Sequence, residues 1–593
     1  MQRPLYLCRQ LVAEAGARRT VQLLALALLG SALEALGLGL AAGVLLGGRG
    51  PGPALFQWGI TSPPLTSPPG TGATADHGLT PGAAIALLVA VMVVRAGLQA
   101  LGTIRLEALR SGFTDRLRRE LLRSVVFAPA TRLDQVGRGE LLGLMMDDIG
   151  RSVLALDMGV RGVQAALALL IYVSGVLLVG QTQALPLLLG FAATGTAALL
   201  QRSDAWRLGQ LHSRLNSALQ RTVGDALHGL KAVRAAGAEG WMLERFRAET
   251  HQYRQMLLNT VGRQAIFAAL RDALVVSVVG VWLLLGRGAL APQAIATTLL
   301  LAYKAAGSLG AVVTNLRLSV GALPGYGQLR QLRRQLGVPA PTDRSATAAA
   351  CLPPAWSLRA IHWHERPPGQ MLAGQSPRST EALSLRRGEL VVVGGPSGTG
   401  KTTLLDRWAG LLGEETSLWE LEFSPGGTVR LEGQGGVRNW RSLVAYAPQE
   451  AVLFEGSLRE NLLLDRSELP DGPSDQNLLH WLRRLGLGHI TERPMGLDGR
   501  LNLSLDCFSG GEIQRLGLLR AWLMERPVEV LDEPTAFLDA ATAAVVRQII
   551  LERARDHLVL VASHDQDLLE SADRRVLQHP SDRPKASALH QPT

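Results

Sequence analysis

Gly395-Pro396-Ser397-Gly398-Thr399-Gly400-Lys401-Thr402 fits the phosphate-loop pattern G-x-x-x-x-G-K-[ST]. The run Leu390-Val391-Val392-Val393 before it predicts a buried strand, and Thr403-Leu404-Leu405-Asp406-Arg407-Trp408 after it predicts a helix. Strand, glycine loop and helix are the setting the motif needs. Glycines let the backbone turn tightly, so its N–H groups can point at phosphate oxygens. The helix N-terminus adds partial positive charge at the same place. Gly395 through Thr403 is therefore the candidate phosphate cradle. Lys401 is expected to reach the β- and γ-phosphates, and the Thr402 hydroxyl to ligate Mg²⁺. A chance glycine-rich turn is the bland alternative, and the flanking strand and helix weigh against it.

The chain has 593 residues, more than one ordinary domain, and a formal net charge of +10. Its mean hydropathy is +0.16, high for a soluble protein of this size. Such a charge fits either nucleic acid or an anionic membrane surface. The arginines flank apolar runs without interleaved aromatics, which favours the membrane and argues against a nucleic-acid partner. Cys8, Cys351 and Cys507 are far apart and suggest neither a disulfide framework nor a zinc site.

Apolar runs occur at Thr20–Gly47, Ala83–Gly102, Val160–Gly180, Ala184–Leu200, Ala265–Leu285 and Ala291–Leu318. This makes about six spans, each near the ~20 residues a bilayer needs, the fourth being the shortest. The first exceeds a signal-peptide core and lacks a clear cleavage site, so it is expected to remain as a membrane helix. No peptidase-like extension precedes it, so leader-peptide maturation by this chain is not expected. The N-terminus, Arg105–Asp157, Gln201–Arg263 and everything after the sixth span are rich in arginine. Gly48–Gly82 and the turns Gln181-Thr182-Gln183 and Gly286-Arg287-Gly288 are poorly charged. The positive-inside rule places both termini in the cytoplasm, where ATP is found. The expected organisation is an all-α six-helix transmembrane domain at 1–323, a Pro/Gly/Ala-rich linker at 324–357, an α/β P-loop ATPase domain at 358–578 and a disordered tail at 579–593.

Other stretches extend the phosphate chemistry. Val528-Glu529-Val530-Leu531-Asp532-Glu533 reads as a strand ending in two carboxylates. Asp532 is placed to hold Mg²⁺, and Glu533 to orient or deprotonate an attacking water. Glu529 fits poorly in a strand buried on both faces, and an edge position would relieve it. Leu558 through Ser563 is a further strand, whose following residue His564 can sense the γ-phosphate. Gln449, in Tyr446-Ala447-Pro448-Gln449, is a candidate Mg²⁺ ligand on a loop. Ser509-Gly510-Gly511-Glu512 opens a helical run and makes a second anion site. One P-loop domain needs one cradle, so the second makes sense facing the nucleotide of another copy.

The order P-loop, Gln loop, Ser-Gly-Gly, Asp532-Glu533-Pro534-Thr535, His564 resembles the ATP-binding-cassette (ABC) ATPases. The helical half before it looks like the membrane domain of that superfamily's exporters. The resemblance implies ATP and Mg²⁺ as cofactors, and head-to-tail dimers sandwiching two ATPs between phosphate loop and signature. It implies that Lys401, Glu533 and His564 are catalytic and that Asp539 links the two active sites. It further implies a second half-transporter as partner, a homodimer before a heterodimer, and a place in the bacterial inner membrane. Gly139-Glu140-Leu141, Asp147-Asp148 and Gly229–Arg234 look like the family's intracellular pattern, which carries short coupling helices. Three departures stand out. Glu512 replaces the usual Gln of the signature, adding negative charge near bound phosphate. Leu503-Ser504-Leu505-Asp506 replaces a Gly-Glu-Arg-Gly run common among exporters. The adenine-stacking tyrosine is missing: Glu365 falls near its place, with Trp363 or His364 the nearest ring.

An ATP-driven transporter is the leading expectation. A soluble cassette ATPase acting on nucleic acid, and a degenerate half working in a heterodimer, are the alternatives. The cargo is left open. Glu34, Arg95 and Lys304 lie within apolar spans, and at ~1.5 Å per residue each falls near mid-membrane. A structural Glu34–Arg95 pair with Lys304 apart, and a polar cavity suited to an anionic or zwitterionic cargo, are both consistent with that placement.

Overall fold

The computed structural model describes residues 2–46, 81–133, 136, 141, 143–190, 192, 203–285, 292–337, 357–365, 382–412, 417–464, 472–492, 496–501 and 508–577. The chain divides into two compact units, residues 1–128 with 132–338, and residues 339–593 with the short segment 129–131.

The first unit is helical. Its main helices are α1 (Gln2–Ala15), α2 (Ala17–Leu46), α3 (Pro81–Val126), α4 (Ile149–Gly180), α5 (Ser203–His228), α6 (Glu239–Leu285) and α7 (Pro292–Leu336). Among the described residues five helices are long and apolar enough to cross a membrane, marking a multi-pass membrane part. The turn expected at Gln181-Thr182-Gln183 is a 3₁₀ turn, Gln181–Ala184. Most of the expected fourth span lies outside the described residues, as do most of Gly48–Gly82, the turn Gly286-Arg287-Gly288 and the tail 579–593.

Helices α3 and α6, of 46 and 47 residues, continue well past their apolar runs. Residues 105–126 contain no proline and are rich in leucine, arginine and glutamate, strong helix formers that carry the helix on when hydropathy falls. Helix α3 ends just before Pro129.

Pro324 does not begin a linker. It lies inside α7, which runs on to Leu336. An internal proline costs a helix about 3 kcal/mol. Against that, Leu323, Tyr326, Leu329, Leu332 and Leu336 form a stripe at helical spacing, each no more than 4% exposed. Burying each such side chain contributes about 1.5–3 kcal/mol, so packing outweighs the proline.

Among the described residues the second unit holds two main sheets, besides a two-stranded one that pairs Gly456–Ser457 with Arg500–Leu501. β1 (Leu358–Glu365), β2 (Ala382–Arg386), β4 (Ser417–Phe423) and β5 (Thr428–Glu432) form an antiparallel sheet in the order β2-β1-β4-β5. β3 (Leu390–Gly394), β6 (Val444–Ala447), β7 (Val528–Asp532), β8 (Leu558–Ala562) and β9 (Arg574–Leu577) form a parallel sheet in the order β9-β3-β8-β7-β6. Its inner strands β3, β8 and β7 are buried throughout, as apolar runs in a parallel sheet require. Helices α8 (Lys401–Trp408), α9 (Gly433–Arg441), α10 (Leu458–Leu463), α11 (Asp475–Arg484), α12 (Gly510–Trp522), α13 (Ala540–Arg553) and α14 (Gln566–Glu570) complete the unit.

Two sequence expectations change here. Glu529 is not at an edge: β7 lies between β8 and β6, and the residue is 1% exposed. Its charge is met instead by Arg553 of α13, whose Nε donates to Glu529 Oε1 at 2.6 Å. Burial still pushes the Glu529 carboxyl up, with Arg553 opposing. Trp363 is buried in the core, edge-on to Trp408 with ring centroids 6.2 Å apart. Trp419 and Trp440 stack in the same cluster at 5.6 Å. This aromatic core fixes α8, and Trp363 has no ring face left for an adenine. His364, half-buried near Glu420 in the same sheet, is the nearer candidate.

Candidate functional site

The loop between β3 and α8 has positive φ at Gly395, Gly398 and Gly400. Gly400 caps α8 at φ 98°, a left-handed conformation that favours glycine. Thr399 Oγ1 donates to the Pro396 carbonyl at 2.9 Å and tightens the loop. Lys401 opens the helix and is buried, with its ammonium donating to the Gly395 carbonyl at 3.0 Å. It also donates to His564 Nε2 at 2.7 Å, which makes that nitrogen the acceptor.

The ends of three adjacent parallel strands meet here. β3 leads into the loop, β7 ends at Asp532 with Glu533 next, and β8 leads to His564. Glu533 Oε1 lies 3.8 Å from Lys401 Nζ and 3.5 Å from His564 Nε2. Glu533 sits at φ 46°, and its N–H donates to the Ala562 carbonyl at 2.9 Å. A non-glycine residue in that region is strained and held by its surroundings. A carboxylate, an ammonium and an imidazole, separated in sequence, are thus within a few ångströms of one another.

Asp532 is 1% exposed, and neither carboxylate oxygen makes a hydrogen bond of good geometry, although the Thr402 hydroxyl is near enough to favour its charge. Burial pushes its pKa up; Thr402 and Lys401 oppose this, while the Glu533 and Asp406 charges add to it. A buried carboxylate short of hydrogen bonds, with a threonine hydroxyl close to it, is the donor set that suits a hard divalent cation. The residues present therefore fit Mg²⁺. Gln449 is exposed on the bend after β6.

Ser509 caps α12. Its hydroxyl accepts from the Glu512 N–H at 3.2 Å, and Glu512 Oε2 accepts from the Ser509 N–H at 2.7 Å, a reciprocal capping box. Glutamate serves this box as well as glutamine. His489 Nε2 lies 2.7 Å from Glu512 Oε1. A Cβ at Gly511 would come within 2.9 Å of the Phe537 carbonyl, so only glycine lets these segments approach. Asp539 is exposed and caps α13, accepting from the Thr542 N–H at 2.9 Å.

Three positioning contacts escaped the sequence reading. The Tyr446 hydroxyl donates to Asp406 Oδ1 at 2.6 Å, tying the strand before Gln449 to the phosphate-loop helix. Buried Gln514 donates to the Glu533 carbonyl at 3.4 Å. Arg547 of α13 reaches Asp565, next to His564, at 2.8 Å. Each joins residues far apart in the chain, so only a motif register could have flagged them. Leu503-Ser504-Leu505-Asp506 and Gly139-Glu140 lie outside the described residues; Leu230–Ala235, in the second basic segment, is a short helix.

Residues 380–536 match the ABC transporter family model. CydC of Bacillus subtilis, titled a glutathione/L-cysteine transport system ATP-binding/permease protein, is 33% identical over 183 residues, covering 31% of this chain and 30% of its own length. IrtA of Mycobacterium tuberculosis, titled a mycobactin import ATP-binding/permease protein, is 33% identical over 204 residues, 33% of this chain and 22% of its own. The chain thus spans about a third or less of the length of these curated relatives. A solved bacterial Atm1-family ABC exporter with ATP bound superposes with a TM-score of 0.68 at 16% identity, over 95% of this chain and 94% of that one. Fold and site together define an ABC nucleotide-binding domain joined to a helical membrane part. Residues 380–536 thus carry an ABC transporter domain, and the chain as a whole shares the fold of the solved exporter.

Proposed function

We propose that this chain is an ATP-driven membrane transporter that hydrolyses ATP as a dimer. The observation that carries the reading is the meeting of Lys401, Glu533 and His564 at the ends of β3, β7 and β8, in a chain whose described residues include five apolar membrane-length helices. In this reading the backbone of Gly395–Thr402 and Lys401 bind the phosphates. Glu533 polarises a water, and His564 holds it in line with the γ-phosphate. Thr402, Asp532 and Gln449 would hold Mg²⁺, which supplies charge neutralisation at the phosphates.

Ser509, Gly510, Gly511 and Glu512, with Asp539, would complete the site of a second copy. One chain supplies both half-sites, which favours a homodimer. We place both termini in the cytoplasm and six spans in a bacterial inner membrane, on the distribution of arginine. The membrane domain would end near Leu336 and the nucleotide-binding domain would extend from about 358 to 578. Outward transport is our reading from the exporter plan. Relatives titled for glutathione or cysteine transport and for mycobactin import each match only about a third of this chain at similar identity, so that likeness selects neither cargo nor direction.

The test uses the full chain in lipid nanodiscs. Glu533→Gln is expected to keep ATP binding, lower hydrolysis at least ~100-fold and trap a closed dimer. Ser509→Arg should also stop hydrolysis, through the partner's site. Undiminished steady-state turnover in Glu533→Gln would contradict the assigned role.

A further inference from the structure

Glu34 of α2 is held by cations from two other helices. Its Oε2 lies 2.7 Å from an Arg95 guanidinium nitrogen on α3, and its Oε1 lies 2.8 Å from Lys304 Nζ on α7. The Tyr172 hydroxyl on α4 donates to Oε2 at 2.8 Å. Four helices therefore meet on one carboxylate. The expected Glu34–Arg95 pair is present, and Lys304 joins it rather than standing apart.

The cluster lines a cavity of about 770 Å³, within the range of ~300–1,000 Å³ usual for small-molecule sites. Arg271 and Asp272 also line it, and they neutralise each other at 2.8 Å. One formal positive charge is left over. Val275, Val276 and Ala306 supply apolar wall. Glu34 and Arg95 also line a second cavity of about 280 Å³ that includes Arg161 and Gln164. The clasp thus borders two spaces at once.

An ion pair whose only role is to join helices needs one cation. A surplus cation inside an apolar span is costly unless something offsets it. Lys304 is 40% exposed, and its ammonium has three donors, of which the Glu34 contact uses one. A carboxylate arriving in the cavity could accept charge-assisted hydrogen bonds from Lys304 and Arg95 where Glu34 now does. We propose that the 770 Å³ cavity binds a small organic anion with an apolar body, whose acidic group exchanges with Glu34 for Lys304 and Arg95. This deepens the transporter reading, on which its meaning as a cargo site rests.

The test measures binding without ATP, using the full chain in phosphatidylcholine nanodiscs. The probes are dansylglycine (an anion), dansylglycinamide (neutral) and dansylcadaverine (a cation), followed by dansyl fluorescence. Dansylglycine should bind at least about tenfold tighter than the amide, and the cation weakest. Lys304→Met should weaken dansylglycine about tenfold and leave the amide unchanged, while Lys304→Arg should retain the preference. Glu34→Gln should tighten dansylglycine, because it removes the resident competitor. Equal binding of all three probes, or an anion preference that survives Lys304→Met, would overturn the proposal. Should Glu34→Gln fail to fold, the two Lys304 variants decide alone. Hydrolysis by the unaltered chain tests the transporter reading separately.

Discussion

Asp532 is a carboxylate held out of water without a well-formed hydrogen bond to either oxygen, the nearby Thr402 hydroxyl easing its charge only in part. An unmet buried group of this kind costs about 1–3 kcal/mol or more. In the proposed reading that cost is offset by a divalent cation that arrives with the nucleotide. Asp532→Asn should therefore raise the melting temperature of the nucleotide-free chain, since a neutral amide costs less to bury. The same variant should lose the extra stabilisation that Mg²⁺ adds to ATP, so that ATP with Mg²⁺ and ATP with EDTA give equal melting temperatures. A drop in nucleotide-free melting temperature would mean that Asp532 has a structural partner. Residues of this sort were legible because a motif fixes their order along the chain. Glu529 was not, because its partner Arg553 lies on α13 and their meeting is set by how that helix crosses the sheet. For Trp363 the aromatic character was plain, but which sheet face turns inward depends on Trp408, Trp419 and Trp440.

Capping decides the start of α12, and its chemistry is pH-dependent. Burial acts to raise the Glu512 pKa, but the Ser509 N–H and His489 outweigh it, and the net shift is downward. A carboxyl group with a lowered folded pKa stabilises above its unfolded value, near ~4.3 for glutamate, and loses that contribution as pH falls through the folded value. Glu512→Gln keeps the box but not the charge. The wild-type chain should thus be more stable than Glu512→Gln at neutral pH, by less than about 1 kcal/mol given the exposed partner. Melting curves between neutral pH and the acid side of the glutamate range should show that gap closing. A gap of constant size would show that the carboxylate charge plays no part. At this scale the sequence marked where helices exist better than where they stop. Hydropathy fell at Gly102 and a proline stood at 324, yet α3 and α7 run on because helix propensity in one case and a buried stripe in the other continue past those points.

At the scale of the whole molecule, the two-part plan was readable from composition, since apolar runs of membrane length and a phosphate loop occupy separate stretches. What composition could not supply was the rotation of each helix about its axis. Depth along a span follows from counting residues, which put Glu34, Arg95 and Lys304 at one level, but their convergence depends on which face each helix turns inward. The proposed orientation across the bilayer rests on charge: it puts the arginine-rich segments on the cytoplasmic side and the poorly charged loop 48–82 on the other. Labelling by cysteine can test this. Ser213 is a poor site, being 2% exposed, with its hydroxyl accepting from Arg151 at 2.6 Å and donating to Gln328 at 2.8 Å. Its neighbour Arg214 is exposed on α5 and suits the purpose. For the opposite side, Ser67 falls within the poorly charged loop. In a background without Cys8, Cys351 and Cys507, Ser67→Cys should react in intact spheroplasts with a maleimide that cannot cross membranes, and Arg214→Cys only after permeabilisation. Reaction of both before permeabilisation would place the arginine-rich segment outside, and with it the phosphate loop's side of the membrane would have to be reassigned.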